Sequence, residues 1–354
     1  MIPAEFYNTL YLLMVTFFTL ICLRKYNSSI TLKIESKIPA FILASVLVLY
    51  IGFRPIHSVF SDTVGYAYHF EYISIYKFQF NHETENLGFD NLLSYMASSG
   101  YQISDFFLVI ASIYFIGRYI AYRKMFPKNT WTAYLVFLGA FLTFASATNG
   151  IKAGAAASIF VCAIAYKDNK ILAAILLALS WLTHHSMVVC ICAYIVTLFY
   201  KNTKVYIIFW SIALVIAILH ITYFQHLFSN YINEKGAAYL TGDDGWITGM
   251  RYDFVIYSAV PIFIGWYYIC KKGIDIPEYT FVLNLYTLLN GLWLLCMYAS
   301  FTNRIAALSW MLYPIVIIYP FLSEKCNIPN KNKLCSITLF SHLAFTLFMH
   351  FIYY

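Results

Sequence analysis

The sequence predicts an all-α polytopic membrane protein of about twelve transmembrane helices, with short interfacial helices in its large outer loops. Three observations predict it. Of 354 residues, 61% are hydrophobic and only 11% are charged, against about a quarter charged in soluble domains. The apolar residues fall in runs, many of them close to the roughly 20 residues that cross a bilayer. The basic residues gather in alternate loops between those runs. A chain this apolar cannot hide its surface in a water-soluble core, so lipid must be part of its solvent.

The first run, residues 2–23, follows no basic segment and shows no small-residue cleavage site, so a spanning helix is expected there rather than a signal peptide. Further runs lie at 38–53, 103–122, 131–147, 150–166, 171–182, 187–200, 205–221, 254–270, 279–300, 305–322 and 334–354. Residues 171–200 fit either one long helix or two short ones broken at Thr183-His184-His185-Ser186. A single helix would be about 45 Å long and would put Lys167 and Lys170 across the bilayer from Lys201 and Lys204. Two helices meeting at the His pair keep all basic loops on one side, so a hairpin is expected.

With that choice, seventeen of the 23 basic residues fall in six alternate loops. They are Arg24, Lys25, Lys33 and Lys37; Arg118, Arg123, Lys124 and Lys128; Lys167 and Lys170; Lys201 and Lys204; Lys271 and Lys272; and Lys325, Lys331 and Lys333. The positive-inside rule places these loops in the cytoplasm and both termini outside. The net charge of +7 is thereby accounted for by topology and gives no sign of nucleic acid. The whole chain, 1–354, is expected to form one integral membrane domain with large outer loops at about 54–102 and 222–253.

In the first of these loops Tyr66, Phe70, Ile73 and Lys77 recur at helical spacing, as an amphipathic interfacial helix requires. A second small helix is expected around 91–97, ended by Gly100. The second loop holds Gly242-Asp243-Asp244-Gly245, a turn-rich stretch suited to a lid. The eight cysteines show no metal-ligand or disulfide spacing. No metal site is expected, since the Asp243-Asp244 pair offers a hard cation too few oxygen ligands.

Six cations remain on the outer side: Arg54, Lys77, Lys152, Lys235, Arg251 and Arg304. Four of them, Arg54, Lys152, Arg251 and Arg304, sit at or just beyond helix ends on that face. Cations there run against the topogenic bias and are costly unless paired or used. Each could snorkel or pair locally, as Arg251 could with Asp253. Together they suit an anionic substrate, most naturally a diphosphate, which Arg grips in bidentate fashion. Asp62, beside Thr63 and one turn before Tyr66, has the chemistry of a helix N-cap and equally of a general base on a hydroxyl. His184, at the break, is a base, a phosphate donor or an interfacial polar residue.

These residues resemble a known family. Arg54 followed by Asp62-Thr63 and Tyr66 resembles the Arg, Asp-Thr and Tyr signature in the first outer loop of EpsG-like proteins, among the Wzy-type bacterial polysaccharide polymerases. Thr148-Asn149-Gly150-Ile151-Lys152 is similar to that family's Asn-to-Arg segment, Trp181-Leu182-Thr183-His184-His185-Ser186 to its His segment, and Phe301-Thr302-Asn303-Arg304-Ile305 to its late Arg-Ile element. Three positions depart from the pattern. Lys152 stands where Arg is usual, Ala153 where Gln is usual, and Phe60 where a Gly precedes the Asp.

The resemblance implies a glycosyltransferase that polymerises polyprenyl-diphosphate-linked oligosaccharides on the periplasmic face of a bacterial inner membrane. Arg54, Lys152, Arg251 and Arg304 would bind the diphosphate, Asp62 or His184 would act as base, and Tyr66 would support. It implies no nucleotide sugar, no cofactor and no obligatory metal. Expected partners are the lipid-linked oligosaccharide, the bilayer and other polysaccharide-assembly proteins such as a chain-length regulator or flippase. A flippase for the same glycan is the alternative, although internal repeats and midplane charges would suit it better.

Overall fold

The computed structural model describes residues 2–27, 37–229, 234–241 and 249–353. The expected lid at Gly242–Gly245 lies outside the described residues. No strand occurs among them. The chain forms, in order, α1 (Tyr7–Asn27), α2 (Lys37–Gly52), α3 (Asp62–Ser74), α4 (Leu87–Ser98), α5 (Ile103–Met125) and α6 (Thr130–Leu138). Then follow α7 (Thr143–Thr148), α8 (Ile151–Ala165), α9 (Lys170–Thr183), α10 (Met187–Phe199), α11 (Thr203–Ile218) and α12 (Tyr223–Ser229). The last are α13 (Glu234–Thr241), α14 (Tyr252–Gly265), α15 (Pro277–Leu295), α16 (Thr302–Trp310), α17 (Tyr313–Leu322) and α18 (Lys331–Phe348).

Each apolar run predicted from the sequence is helical, but some are interrupted. The run 131–147 divides into α6 and α7. Thr143 Oγ1 donates to the Phe137 carbonyl at 2.6 Å, and Thr346 Oγ1 donates to the Gly139 carbonyl at 2.7 Å. Helix-end carbonyls that would otherwise be orphaned are met this way. The run 305–322 divides into α16 and α17, with Pro314 in the first turn of α17, where a missing N–H costs nothing. The helix over 171–200 ends at Thr183 and restarts at Met187, so the break lies at the expected place.

Among the described residues, five segments are long and apolar enough to cross a membrane: Ala4–Arg24, Ile103–Met125, Tyr252–Lys271, Thr302–Leu322 and Lys331–Tyr353. Counting the pair Thr203–Ile218 and Tyr223–Ser229, bent by 103°, makes six. Four more, α2, α8, α9 and α10, are apolar but have only 10–17 residues. At 1.5 Å per residue these fall short of the ~30 Å hydrocarbon core, so length alone does not reach the expected count of about twelve. The protein is an all-helical membrane protein. Lipid-facing stripes fit this: Leu13, Phe17 and Leu20 on α1, and Ile208, Ile212 and Val215 on α11, are exposed at helical spacing.

The chain divides into two compact units, Met1–Val188 with Pro329–Tyr354, and Val189–Ile328. In the first, α2 and α8 pack along α5, α9 packs along α8, and α18 packs along α1. In the second, α15 packs against α11, α14, α16 and α17. Arg118 corrects the expectation that it belongs to a basic loop. It is 2% exposed within α5, where its Nε donates to Ser158 Oγ at 3.1 Å and its guanidinium lies over the Phe137 ring. The boundary between helix and loop could not be read because Arg123, Lys124 and Lys128 follow in the same polar stretch.

Two helices form in the long loop before residue 102, as expected, but α3 ends at Ser74 and leaves Lys77, expected on its face, beyond it. Phe70 of α3 and Phe89, Leu93, Met96 and Ala97 of α4 bury themselves against Phe106, Phe107 and Ile110 of α5 and Ile151 and Ala155 of α8. Gly100, with φ of +82°, follows the end of α4 as expected. This apolar cluster fixes the loop helices against the bundle and so positions the polar residues on them.

Candidate functional site

Arg54 leaves the end of α2 and is 4% exposed. A buried guanidinium must have its donors met, and three chain segments meet them. Nη1 donates to the Ile51 carbonyl at 2.9 Å; Nε and Nη2 donate to Thr63 Oγ1 at 3.1 and 3.0 Å; Nη2 also reaches the Thr148 carbonyl at 3.4 Å. The guanidinium stacks 4.1 Å from the centre of the Phe107 ring. Burial pushes it down to about 10, so it stays charged at neutral pH. Among the described residues no carboxylate pairs with it, which leaves a positive field at the junction of α2, α3 and the turn before α8.

Asp62 is the first residue of α3 and is exposed, while Ser61 occupies the N-cap position at φ 40°. The carboxylate makes no hydrogen bond among the described residues, so its side chain does not cap the helix. Thr63, fully buried, turns instead toward Arg54. Tyr66 packs on the apolar cluster, its ring 5.7 Å from that of Phe89.

Lys152 lies in the first turn of α8. Its Nζ donates to Asp90 Oδ1 at 2.7 Å and sits 4.9 Å from the centre of the Phe89 ring. Thr84 Oγ1 donates to the other oxygen of Asp90. Burial raises the Asp90 carboxyl, but the hydrogen bonds from Lys152 and Thr84 and the Lys152 charge outweigh this and hold it below its usual value. Gly154 lets α7 come close at this point: a Cβ there would stand 2.4 Å from the Ser146 carbonyl oxygen.

His184 follows the last turn of α9. Its Nδ1 accepts from the Ser186 backbone N–H at 3.2 Å and lies 2.7 Å from Ser186 Oγ. Since a backbone N–H can only donate, Nδ1 is unprotonated, and the proton of neutral His184 is assigned to Nε2. His185 stacks on His184 with ring centres 5.0 Å apart. It is held from α4's side by Asn86, whose Oδ1 accepts from the His185 backbone N–H at 3.1 Å. Gly88, with the Leu182 carbonyl 3.0 Å from where its Cβ would lie, lets α4 approach the end of α9.

The first unit therefore joins three sequence motifs in one polar chain. It runs from Arg54 through Thr63 to the Thr148 carbonyl, one turn along to Lys152, across to Asp90, and through Asn86 to His185 and His184. Sequence reasoning missed Asp90 and Asn86, because partners 62 and 99 residues away leave no local signal. Arg251 and Arg304 belong to the second unit. Arg251 precedes α14 and makes a two-point pair with Asp253, at 3.0 and 2.6 Å, over the Phe254 ring. Arg304, exposed in the first turn of α16, lies over the ring of Phe301, whose backbone is left-handed.

Among the described residues, no three His, Cys, Asp or Glu side chains gather as a metal site. No curated protein and no solved structure matches the chain. The EpsG family model matches residues 37–354, which takes in every element from α2 onward and all of the motifs above. The chain belongs to the EpsG family.

Proposed function

We propose that this protein is a membrane glycosyltransferase that polymerises polyprenyl-diphosphate-linked oligosaccharide repeats at the periplasmic face of a bacterial inner membrane. Membership of the EpsG family supports a polysaccharide polymerase. The observation that carries the reading is the polar chain from Arg54 to His184, which links a cation without a carboxylate partner to the histidine motif and runs through Thr63, the neighbour in sequence of the exposed Asp62.

In the proposed reaction the hydroxyl oxygen of one lipid-linked repeat attacks the anomeric carbon of the glycan on another. The bond from that carbon to the diphosphate oxygen breaks, and the lipid diphosphate departs with the bonding pair. Asp62 takes the hydroxyl proton, since it is exposed and its carboxylate is not spent on the backbone. His184, with its proton on Nε2, donates to a phosphate oxygen rather than acting as base. Arg54 supplies a fixed positive field for the leaving group, which fixed charges and dipoles stabilise without reorganising. Lys152 is assigned to diphosphate binding and Tyr66 to the wall of the acceptor site, while Arg251 and Arg304 are assigned to phosphate binding within the second unit.

The test is the gel profile of surface polysaccharide in a deletion strain complemented with Asp62→Asn, Arg54→Ala or Arg304→Ala. Glycan truncated to single repeats, with protein still inserted at normal level, is the expected result. Unchanged long chains in all three would overturn the site assignment, and loss of all exported glycan on deletion would point to a flippase.

A further inference from the structure

Beyond this activity, we propose that the lysine-rich end of the second unit holds a binding site for a phosphate-bearing anion, of which a membrane phospholipid headgroup is the natural source. Lys201, on the loop before α11, and Lys204, in its first turn, do more than orient the chain. Lys201 and Lys204 line a cavity of about 430 Å³ together with Asn202, Thr203, Cys270, Gly273, Asp275 and Thr280. Two exposed lysines at a helix start would not by themselves make a site. Here both walls are built to hold the opening between them.

On one wall, three side chains fix the loop at 200–203. Asn284 of α15, 1% exposed, donates from Nδ2 to the Lys201 carbonyl at 3.2 Å. The Tyr206 hydroxyl donates to the Tyr200 carbonyl at 2.7 Å, and Asn202 Oδ1 accepts from the Lys204 backbone N–H at 3.1 Å. The other wall is the turn that follows the wide helical turn Trp266–Lys271. It is closed by Lys272 N–H to the Tyr267 carbonyl and Ile274 N–H to the Tyr268 carbonyl, each at 3.0 Å, and reversed at Gly273 with φ of +68°.

Charge and placement then select the ligand. Asp275 also lines the cavity, yet among the described residues no ion pair joins it to either lysine. The start of α11 adds the positive end of a 16-residue helix dipole to the same opening. Basic pockets at helix ends on the lysine-rich side of a membrane are where anionic headgroups bind. A cavity of this size takes a phosphate with its glycerol or a second phosphate.

The test uses the full chain in neutral detergent, titrated with short-chain phosphatidylglycerol, phosphatidylcholine or inorganic phosphate, with melting temperature as readout. A saturable rise with phosphatidylglycerol and none with phosphatidylcholine is expected. In K201Q/K204Q the apparent affinity should fall about 25-fold, at roughly fivefold per lysine. K271Q/K272Q, which loses the same charge outside the cavity lining, should bind as the parent does. Thr280→Leu keeps both lysines but replaces a lining hydroxyl with an apolar group, and should also weaken binding. Equal loss in K271Q/K272Q, undiminished binding in Thr280→Leu, or no rise with either phosphatidylglycerol or phosphate would overturn the proposal. An equal rise with inorganic phosphate at the same concentration would support the site with free phosphate as its ligand.

Discussion

The Lys152 ammonium stands 2.7 Å from Asp90 Oδ1, joining the first turn of α8 to α4, in the long connection between α2 and α5, across 62 residues of sequence. Both side chains are largely shielded, at 21% and 30% exposed. The pair therefore does more than a surface ion pair, whose median worth is near zero. It holds the lysine of one motif beside the loop that also fixes the histidine of another.

Asp90→Asn is expected to lower stability by about 1–2 kcal/mol, because a charged hydrogen bond to a partly buried ammonium is lost. The same pair sets a pH dependence. A carboxyl held below its usual value stabilises the fold above the unfolded value, and this contribution fades as pH falls through the folded one. Parent and Asp90→Asn should therefore differ in melting temperature at pH 7, and the gap should shrink as pH falls below about 4, the ordinary carboxylate value. A gap that is unchanged across the whole acid range would exclude this origin.

Arg54→Lys keeps the charge but loses the planar fork that serves Thr63 and the Thr148 carbonyl. Thr63→Val removes the acceptor and leaves guanidinium donors buried without a partner. Each should cost roughly 1–3 kcal/mol. The double variant should cost distinctly less than the sum, since both remove the same contacts. Additive losses in denaturant melts would show that the two residues act apart.

Two glycines should respond with opposite sign. Gly154→Ala places a Cβ 2.4 Å from the Ser146 carbonyl oxygen, forcing α7 off α8. It should cost about 1–3 kcal/mol, as overpacking does, and shift the Thr148 carbonyl that Arg54 uses. Gly65, inside α3, has nothing within 4 Å of its Cβ position. Gly65→Ala should stabilise by about 0.5–1 kcal/mol. Thermal melts of the two variants check both.

Arg118 is buried in α5 and is no loop charge. Arg118→Met should leave membrane orientation unchanged while lowering thermal stability. Ser186→Cys in a Cys192→Ser background reports that orientation, because Cys192 is an exposed native thiol. Impermeant reagent added from outside should label residue 186 in both the parent and the Arg118→Met background. Labelling from the cytoplasmic side alone would invert the topology expected from the lysine loops.

Much of the secondary structure was legible because lipid imposes a simple demand: apolar runs become helices, and Gly100 and the break at Thr183-His184 end them where expected. The interruptions at Gly139 and before Pro314 were not legible, since side chains distant in sequence, Thr346 among them, satisfy the freed carbonyls. At the site, Arg54 and Lys152 stood out as cations against the topogenic bias. What each one touches did not, because Thr63 looks like an ordinary second residue of a helix and Asp90 like one of several loop acids. Arg251 shows the opposite case. Its partner, Asp253, lay two residues away and was visible in the sequence.

The lock on Arg54 also bears on how the chain is made. Its last acceptor, the Thr148 carbonyl, lies 94 residues downstream. At about 5–20 residues per second, ribosomes need roughly 5–20 s to reach it. Throughout that interval the guanidinium at the end of α2 has no finished pocket, so it must wait in water or among headgroups. Burial of this charge is thus a late event of biogenesis. It makes closure of this end of the first unit depend on the arrival of α7, and gives the nascent chain a point at which incomplete assembly is exposed to quality control.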